Sequence, residues 1–248
     1  MIDVFPPVLV LLLGAVLLGV FRGSLRTAVV LVAPLLTLWA IWQVPDGIAV
    51  MLPFLDYQIE VVEGSALSRL FATVFAAMAL VGGLFSYRQA SALELSSAYA
   101  YAAGAIGVAF AGDLLTLFVF WEAMAIFSTV VVWCGGTPSA RRAGLRYAII
   151  HFLGGVVLMV GVAGVAFNTG SIDIQPMRAQ DFATWMVLIG LLINAAAPPF
   201  SFWLPDAYPE ASPTGAVFLS AFTTKSAVLA LIVVCPGEPV LCGVGLCV

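Results

Sequence analysis

Two ionisable side chains lie deep inside long apolar stretches of this sequence. Glu122 is the ninth residue of Leu114–Trp133, and Lys225 is the eleventh residue of the stretch 215–235. Because a helix rises about 1.5 Å per residue, both lie near the middle of a bilayer if these stretches cross one. A charge at that depth costs at least about 2.5–3.5 kcal/mol and is typical of ion and proton pathways.

A carboxylate and an ammonium at matching depth can form a pair whose geometry controls how tightly each group holds its proton. We therefore predict that Glu122 and Lys225 form a proton relay. The alternative is a static ion pair that holds two helices together. Hydroxyl groups or small residues could hold helices together at lower cost, which favours the relay.

A third candidate, Asn194, lies next to a predicted break in a helix. The stretch 185–203 is strongly hydrophobic, but Pro198 and Pro199 interrupt it directly after Asn194, and a regular helix cannot continue through that pair. Broken helices at mid-depth are tolerated where they line a hydrated cavity, so Asn194 could be a neutral relay or water-holding group. The alternative is an ordinary proline kink in which Asn194 satisfies a freed carbonyl.

The fourth candidate is His151, the single histidine of the chain. It lies near the start of an apolar stretch and close to Arg141, Arg142 and Arg146. Such a histidine could pass protons between the cytoplasm and the bundle interior. The alternative is a packed histidine with one ring nitrogen satisfied.

The elements that must hold these residues are helices in a membrane. The chain has 248 residues, 63% hydrophobic and 9% charged, with a mean hydropathy of +1.14, whereas soluble domains carry about a quarter charged residues. A bilayer core needs roughly 20 apolar residues per helix. We predict eight transmembrane helices in an all-α integral membrane protein, at 4–21, 27–44, 68–87, 95–112, 114–133, 147–167, 183–204 and 215–235, with the seventh helix discontinuous.

The distribution of arginines predicts the orientation. With the N-terminus outside, only Arg69 and Arg178 fall outside, and the inner loops hold Arg22, Arg26, Arg88, Arg141, Arg142 and Arg146. The positive-inside rule favours that orientation. The outer loop 45–63, which carries several acidic residues, is predicted to be a solvated amphipathic segment.

Several kinds of site are not expected. The basic residues form no stripe that a nucleic acid could bind. The four cysteines form no CxxC pair and one histidine is present, so we expect no metal site, and no motif predicts a cofactor site. We interpret the cysteines as small apolar residues that fill space: Cys134, Cys235, Cys242 and Cys247.

The last segment, 236–248, contains an apolar run about half as long as a transmembrane helix requires. We interpret it as the remnant of a ninth helix. A helix that ended inside the hydrocarbon would leave about four carbonyls unsatisfied. We therefore expect a C-terminally truncated product or a subunit that another chain completes.

Two segments resemble a known family. The residues GDLLTLFVFWE, 112–122, resemble the acid-bearing helix of the antiporter-like subunits of respiratory complex I, and so do PFSFWLPDAYPEA, 199–211, followed by Lys225. The same signature marks the D-type subunit of Mrp-type Na+/H+ antiporters. The resemblance covers roughly 112–231, whereas the first three stretches match in hydropathy alone.

The resemblance implies two inverted five-helix repeats, each with a broken helix, and protons that move through linked half-channels. Residues 1–94 would form an N-terminal three-helix region, 95–235 the first repeat, and 236–248 the remnant of a ninth helix. Glu122 matches the essential glutamate of the family, and Lys225 matches the central lysine of the eighth helix.

The chain departs from the family in two ways. Asn194 stands where the family usually has a lysine on the broken helix, and a second repeat is absent. Either Lys225 replaces the missing partner of Glu122 through water, or this branch pumps differently or not at all.

The function implied is that of a subunit in a multisubunit monovalent cation (Na+)/proton antiporter. It would lie in the bacterial inner membrane with other membrane subunits as partners, and it would have no catalytic site of its own. A second interpretation is a proton-pumping membrane subunit of an NADH-quinone oxidoreductase or membrane hydrogenase. A third is a non-transporting scaffold or a truncated remnant, which Asn194 and the missing repeat favour.

Overall fold

The computed structural model describes residues 4–55 and 57–245, which form a helical bundle with one small β-hairpin. A 3-10 turn, Phe200–Phe202, lies between the seventh and eighth helices in chain order. The elements are α1 Pro7–Val20, α2 Gly23–Ile41, β1 Gly47–Phe54, β2 Tyr57–Gly64, α3 Ala66–Ser86, α4 Ala92–Phe110, α5 Leu114–Trp133, α6 Pro138–Thr169, α7 Phe182–Ala195, α8 Trp203–Ala207, α9 Pro213–Ala221, α10 Thr223–Val234 and α11 Pro239–Gly245.

Helices occur at all eight predicted places, and the chain is a multi-pass membrane protein. Within the described residues, six helical segments are long and apolar enough to cross a bilayer: Gly23–Ile41, Ala66–Ser86, Leu114–Trp133, Pro138–Thr169, Phe182–Ala207 and Pro213–Val234. The first helix, α1, is apolar but has 14 residues. The fourth, α4, is almost entirely buried, so its sequence need not be as apolar as a lipid-facing helix.

The central position of α4 depends on small residues. Helices α1, α3 and α5 pack around it. At Gly107 a Cβ would lie 2.3 Å from the ring of Phe120 on α5, and at Gly104 it would lie 2.7 Å from Met124. Close approach at such residues is the usual way in which membrane helices gain packing energy. Through these two contacts, α4 holds α5, the helix that carries Glu122.

Helix α6 is longer than predicted. It begins at Pro138, where the Thr137 hydroxyl accepts a hydrogen bond from the amide of Ala140 at 2.9 Å, and it ends at Gly170 in the left-handed conformation. Its 32 residues span about 48 Å. Arg141, Arg142 and Arg146, which the sequence predicts to lie in an inner loop, therefore lie on the exposed first turns of this helix.

The predicted break in the seventh helix is confirmed. Helix α7 ends where Ala196 takes a left-handed conformation, and a cis Pro198-Pro199 bond and the 3-10 turn lead to α8. The indole nitrogen of Trp203 donates to the freed carbonyl of Ile193 at 2.9 Å. The amide of Ala196 also donates to this carbonyl at 3.2 Å, so Trp203 and the backbone, rather than Asn194, satisfy it.

The eighth stretch was predicted to be one helix, but it is interrupted at Phe222. Helices α9 and α10 meet there, and side chains satisfy the backbone groups that the break frees. Tyr101 accepts a hydrogen bond from the Thr223 amide at 2.8 Å, and Tyr208 donates to the Leu219 carbonyl at 2.7 Å. No proline or glycine marks this break in the sequence, so it depends on tertiary contacts.

The outer loop 45–63 is partly solvated and amphipathic, as predicted, with Asp46 and Glu63 exposed, but it is also regularly folded. It forms the antiparallel hairpin β1–β2, with Ala49, Val50 and Val62 buried. The hairpin is attached to the start of α5, because Asp113 accepts a hydrogen bond from the Glu60 amide at 2.7 Å. Apolar residues cover one side of the hairpin against the bundle, which local charge alone did not indicate.

The segment predicted to be the remnant of a ninth helix contains α11, and residues 246–248 of that segment lie outside the described residues. The cysteines differ from one another in burial. Cys235 is buried and fits the predicted role as a small filler, Cys134 is half-buried and Cys242 is exposed, so the prediction was wrong for Cys242. Cys247 lies outside the described residues.

Candidate functional site

Glu122 lies in the middle of α5 with its carboxyl group against α6. The side chain is half-buried, and its Oε1 atom is buried without a hydrogen-bond partner among the described residues. Gly155 of α6 provides the space for it, because a Cβ at that position would lie 1.8 Å from Oε1. Glu122 is therefore available to bind a proton without competing with a fixed donor.

A small cavity with several polar side chains in its wall lies about one helix turn from Glu122, where α5, α6, α7 and α10 meet. About 10 Å³ of it is open to the centre of a water molecule, which is close to the space that one buried water requires. Its lining residues are Trp121, Met124, Ala125, His151, Asn194 and Thr223. The structure thus brings His151 and Asn194 together, although they are 43 residues apart in the sequence.

Three polar atoms of the residues lining this cavity are buried without a well-aligned hydrogen bond in the described part of the chain, and the side chains of His151 and Asn194 are close enough to interact directly. The three atoms are Nε1 of Trp121, Nε2 of His151 and Oδ1 of Asn194. The indole nitrogen can only donate, the amide oxygen can only accept, and the imidazole nitrogen can do either according to its tautomer. One water molecule could satisfy all three atoms, which is the usual function of buried water.

His151 is packed among aromatic rings rather than open to the cytoplasm. Its ring centroid lies 4.0 Å from that of Tyr147 and 4.6 Å from that of Trp203, and 1% of the residue is exposed. Arg146, in contrast, lies on the surface and donates two hydrogen bonds to Asp206. The three arginines near His151 in the sequence are exposed, so the structure places His151 in the bundle interior and not at the cytoplasmic surface.

Lys225 lies on the exposed side of α10. Its ammonium donates to the Ser220 carbonyl at 2.6 Å, one of the groups freed by the break at Phe222, and to the Thr224 hydroxyl at 3.2 Å. Residues 4–55 and 57–245 form two ion pairs, Arg69 with Asp46 and Arg146 with Asp206. Glu122 and Lys225 do not form the predicted pair, because the acid faces α6 while the lysine faces outward.

A hydroxyl pair lies between the cavity and Lys225. Thr223 lines the cavity, and its hydroxyl is hydrogen-bonded to that of the buried Tyr101. Thr224, the next residue, binds the ammonium of Lys225. Polar groups therefore lie both at the cavity and around Lys225, and no hydrogen bond among the described residues joins the two sets.

Sequence reasoning missed several of these residues. Trp121 precedes Glu122 directly, so its indole could have been considered, but Tyr101 and Gly155 had no distinguishing signal in their apolar stretches. Glu94 was also missed because it comes just before the predicted fourth span. It is 4% exposed and accepts hydrogen bonds from Ser212 and Thr214.

The fold and these interior groups define a class of protein. Broken helices around a polar interior are typical of multi-pass membrane transporters. Residues 111–239, more than half of the chain, match the family described as NADH:quinone oxidoreductase/Mrp antiporter, TM. The chain belongs to this family.

Two relatives illustrate the two branches of the family. The D-type subunit of the Na+/H+ antiporter of Alkalihalophilus pseudofirmus is 26% identical over 209 residues, which cover 77% of this chain and 39% of that protein. The N-type subunit of the NADH-quinone oxidoreductase of Deinococcus radiodurans is 28% identical over 136 residues, or 50% of this chain and 28% of that protein.

Solved structures have the same fold. A chain of respiratory complex I from Thermus thermophilus has a TM-score of 0.76 at 21% identity, over 95% of this chain and 54% of that chain. A chain of the Mrp complex from Dietzia sp. DQ12-45-1b has a TM-score of 0.65 at 25% identity, over 92% and 44%. This chain thus spans about half the length of these solved relatives.

Proposed function

We propose that this chain is a proton-translocating membrane subunit of a multisubunit monovalent cation/proton antiporter, with Na+ as the exchanged cation. The observation that carries the proposal is the position of Glu122, an acid with an unpaired oxygen in the middle of a membrane helix, about one helix turn from the cavity that His151 and Asn194 line. An unpaired carboxyl group at that depth is costly and is typical of proton pathways. The similarity to a Na+/H+ antiporter protein over 77% of the chain supports the choice of cation antiport.

Each site residue has a distinct role in this proposal. Glu122 binds and releases the proton, and a water molecule held by His151 and Asn194 carries it across the cavity. Lys225, held at the break between α9 and α10, is the next proton-exchanging group, on the exposed side of α10. Asn194 is neutral, so its role is to hold water rather than to change charge.

The exposure of Lys225 indicates a protein partner for α10, and the arginines indicate the orientation of the chain. Lys225 is exposed in the middle of an apolar span, where a lipid contact would be costly. We infer that a further protein segment, from this protein or from another membrane subunit, covers α10. The arginine positions support an orientation with the N-terminus outside, and the similarity to bacterial membrane subunits supports a bacterial inner-membrane location.

A second candidate function is a proton-pumping membrane subunit of an NADH-quinone oxidoreductase. The similarity to a subunit of the NADH-quinone oxidoreductase of Deinococcus radiodurans, 28% identical over 50% of this chain, supports it. The two functions differ in their partners. Purification of the native complex decides between them, because small antiporter subunits support the first function and flavin or iron–sulfur subunits support the second.

The test uses the complete native complex in vesicles. Glu122→Gln and Lys225→Ala should each lower proton translocation by about a hundredfold or more while the complex still assembles, because each removes a proton-exchanging group. Glu210→Gln is the matched control, since this acid lies at the bundle surface with a hydrogen bond from Ser139. Normal transport in both site variants would overturn the relay and favour a non-transporting scaffold.

A further inference from the structure

Gly155 lies in the middle of α6, where a glycine lowers helix stability by about 1 kcal/mol relative to alanine. Its surroundings explain why a side chain is absent. A Cβ would lie 1.8 Å from Oε1 of Glu122, 2.8 Å from the Cδ atom of that carboxyl group and 3.3 Å from Oε2. All three atoms of the carboxyl group therefore pack directly on the Gly155 backbone.

The neighbouring glycine shows that this contact is specific. At Gly154 a Cβ would meet a methyl group of Ile193 at 3.0 Å, and the Asn194 amide oxygen at 3.7 Å. A methyl group can move by a few tenths of an ångström, so alanine is tolerated at Gly154 with small adjustment. The 1.8 Å separation at Gly155 is too short for such an adjustment, and the end of the Glu122 side chain would have to move to another rotamer.

The position of Gly155 on α6 determines how far the Glu122 carboxyl group lies from His151. Residues four apart lie on the same face of a helix, so Gly155 is one turn from His151 on a shared face. Glu122, packed on Gly155, is thus held one turn, or about 6 Å, along α6 from the cavity that His151 lines. Its Oε1 atom makes no hydrogen bond to the described residues that could hold it there instead.

We propose that Gly155 is a positioning residue for Glu122: the bare backbone of α6 at this glycine sets the rotamer of the acid and holds its carboxyl group one turn along α6 from the His151–Asn194 cavity. The inference rests on the proposed function, because the positioned acid is the proton-binding group. In this proposal Glu122 keeps its position only if residue 155 of α6 has no side chain. Gly155 acts by leaving space and not by carrying a charge.

The first experiment compares Gly155→Ala with Gly154→Ala in the complete complex. We expect Gly155→Ala to lower proton translocation by about ten- to a hundredfold, since misplacement of a reacting group by about 1 Å has effects of that size. Gly154→Ala should keep most of the activity. Assembly, measured as the yield of intact complex, should be similar for both variants.

A second variant separates positioning from simple damage to helix packing. Aspartate is one methylene shorter, so Glu122→Asp withdraws the carboxyl group from the added methyl group. Glu122→Asp alone should be impaired, but the double variant Glu122→Asp with Gly155→Ala should translocate at least about threefold faster than Gly155→Ala alone. Packing damage at α6 would give no such rescue.

A readout that does not depend on transport is labelling of Glu122 by a hydrophobic carbodiimide, followed by mass spectrometry. Gly155→Ala should change the labelling rate of Glu122 several-fold, whereas Gly154→Ala should not. Unchanged labelling and unchanged transport in Gly155→Ala would overturn the positioning role. If Glu122→Gln itself transports normally, the proposed function fails, and the labelling result still decides whether Gly155 sets the side-chain position.

Discussion

At the scale of single residues, the candidate site depends on polar atoms that lack partners. Among the described residues, Trp121, His151 and Asn194 each have one such buried atom, and all three line one cavity. An unpaired buried polar group costs about 1–3 kcal/mol, so three of them around one space of water size favour an ordered water there. That water would connect the neighbourhood of Glu122 to Thr223.

The contribution of the indole can be tested by Trp121→Phe, which removes the N–H group and keeps an aromatic ring. We expect proton translocation to fall by about three- to tenfold, the effect of one lost hydrogen bond to the water. Trp185→Phe is the matched control, because Trp185 is 39% exposed on the outside of α7 and does not line the cavity. Equal rates for Trp121→Phe and the unmodified protein would exclude a role for the indole N–H group.

At the scale of elements, the two broken spans have different origins. The break after α7 has a local cause, since two consecutive prolines follow Ala197. The break between α9 and α10 lacks such a cause and is maintained by hydroxyl groups from α4 and from the segment after α8. The ring of Phe222, at the break itself, packs edge-on against Tyr101 at 5.1 Å.

This difference predicts distinct effects for two tyrosines of α4. Tyr101→Phe removes the hydroxyl that binds the Thr223 amide, whereas Tyr99→Phe removes an equally buried hydroxyl that donates to the Val30 carbonyl at 2.8 Å. Both should lower thermal stability by about 1 kcal/mol. Only Tyr101→Phe should also slow proton translocation, by about three- to tenfold, because it disturbs the break that positions Lys225.

Stability is measured by thermal unfolding in detergent, and translocation in vesicles. The comparison fails to support the link between Tyr101 and Lys225 if the two variants slow translocation to the same extent. Slower translocation in Tyr101→Phe alone would support a link between the buried Tyr101–Thr223 hydroxyl pair and the exposed ammonium of Lys225.

At the scale of the whole molecule, the bundle has apolar outer faces and buried polar side chains. The β1–β2 hairpin packs against one end of it. Exposed residues such as Leu13, Val16 and Trp39 on α1 and α2 are suited to lipid contact. The hairpin covers the junction of α4 and α5, where Gly112 donates to the Glu60 carbonyl at 3.0 Å. Glu60 and Glu63 of β2 lie close to this junction, since a Cβ at Gly112 would lie 2.8 Å from Glu60 and 3.0 Å from Glu63.

The stability of the hairpin should depend on pH, because partial burial raises the pKa of two of its carboxyl groups. The pKa of Glu60 is raised, first by burial and then by the nearby negative charges of Asp173, Glu63 and Asp113, and burial also raises the pKa of Glu63. A carboxyl group with a raised pKa in the folded state favours folding most strongly below its ordinary pKa. That contribution is lost as the pH rises through the raised value.

We therefore expect the hairpin to open more readily as the pH increases above about 4.5, the ordinary pKa of glutamate. Hydrogen exchange of the β1–β2 amides, corrected for intrinsic pH dependence, should show less protection at about pH 7 than at about pH 4.5. Glu60→Gln should remove much of this trend. Asp181 provides a contrast, because hydrogen bonds from Thr184 lower its pKa, so the start of α7 should lose stability only as the pH falls. Protection that does not change with pH would contradict the expected effect.

The sequence by itself determined which residues are functional candidates and which segments are helices. Length and apolarity predict helices near all eight positions because hydrocarbon imposes helical backbone pairing on any spanning segment. The cost of burying charge marked Glu122 and Lys225, and consecutive prolines predicted the break after Asn194. Each of these signals is contained in a few neighbouring residues.

The tertiary structure alone decided how those residues are connected. Glu122 packs on Gly155 instead of pairing with Lys225, His151 meets Asn194 in one cavity, and a tyrosine of α4 maintains a break that has no local cause. The rotation of each helix about its axis determines these contacts. That rotation is set by the packing of small residues between helices, which periodicity does not reveal in stretches that are apolar on every side.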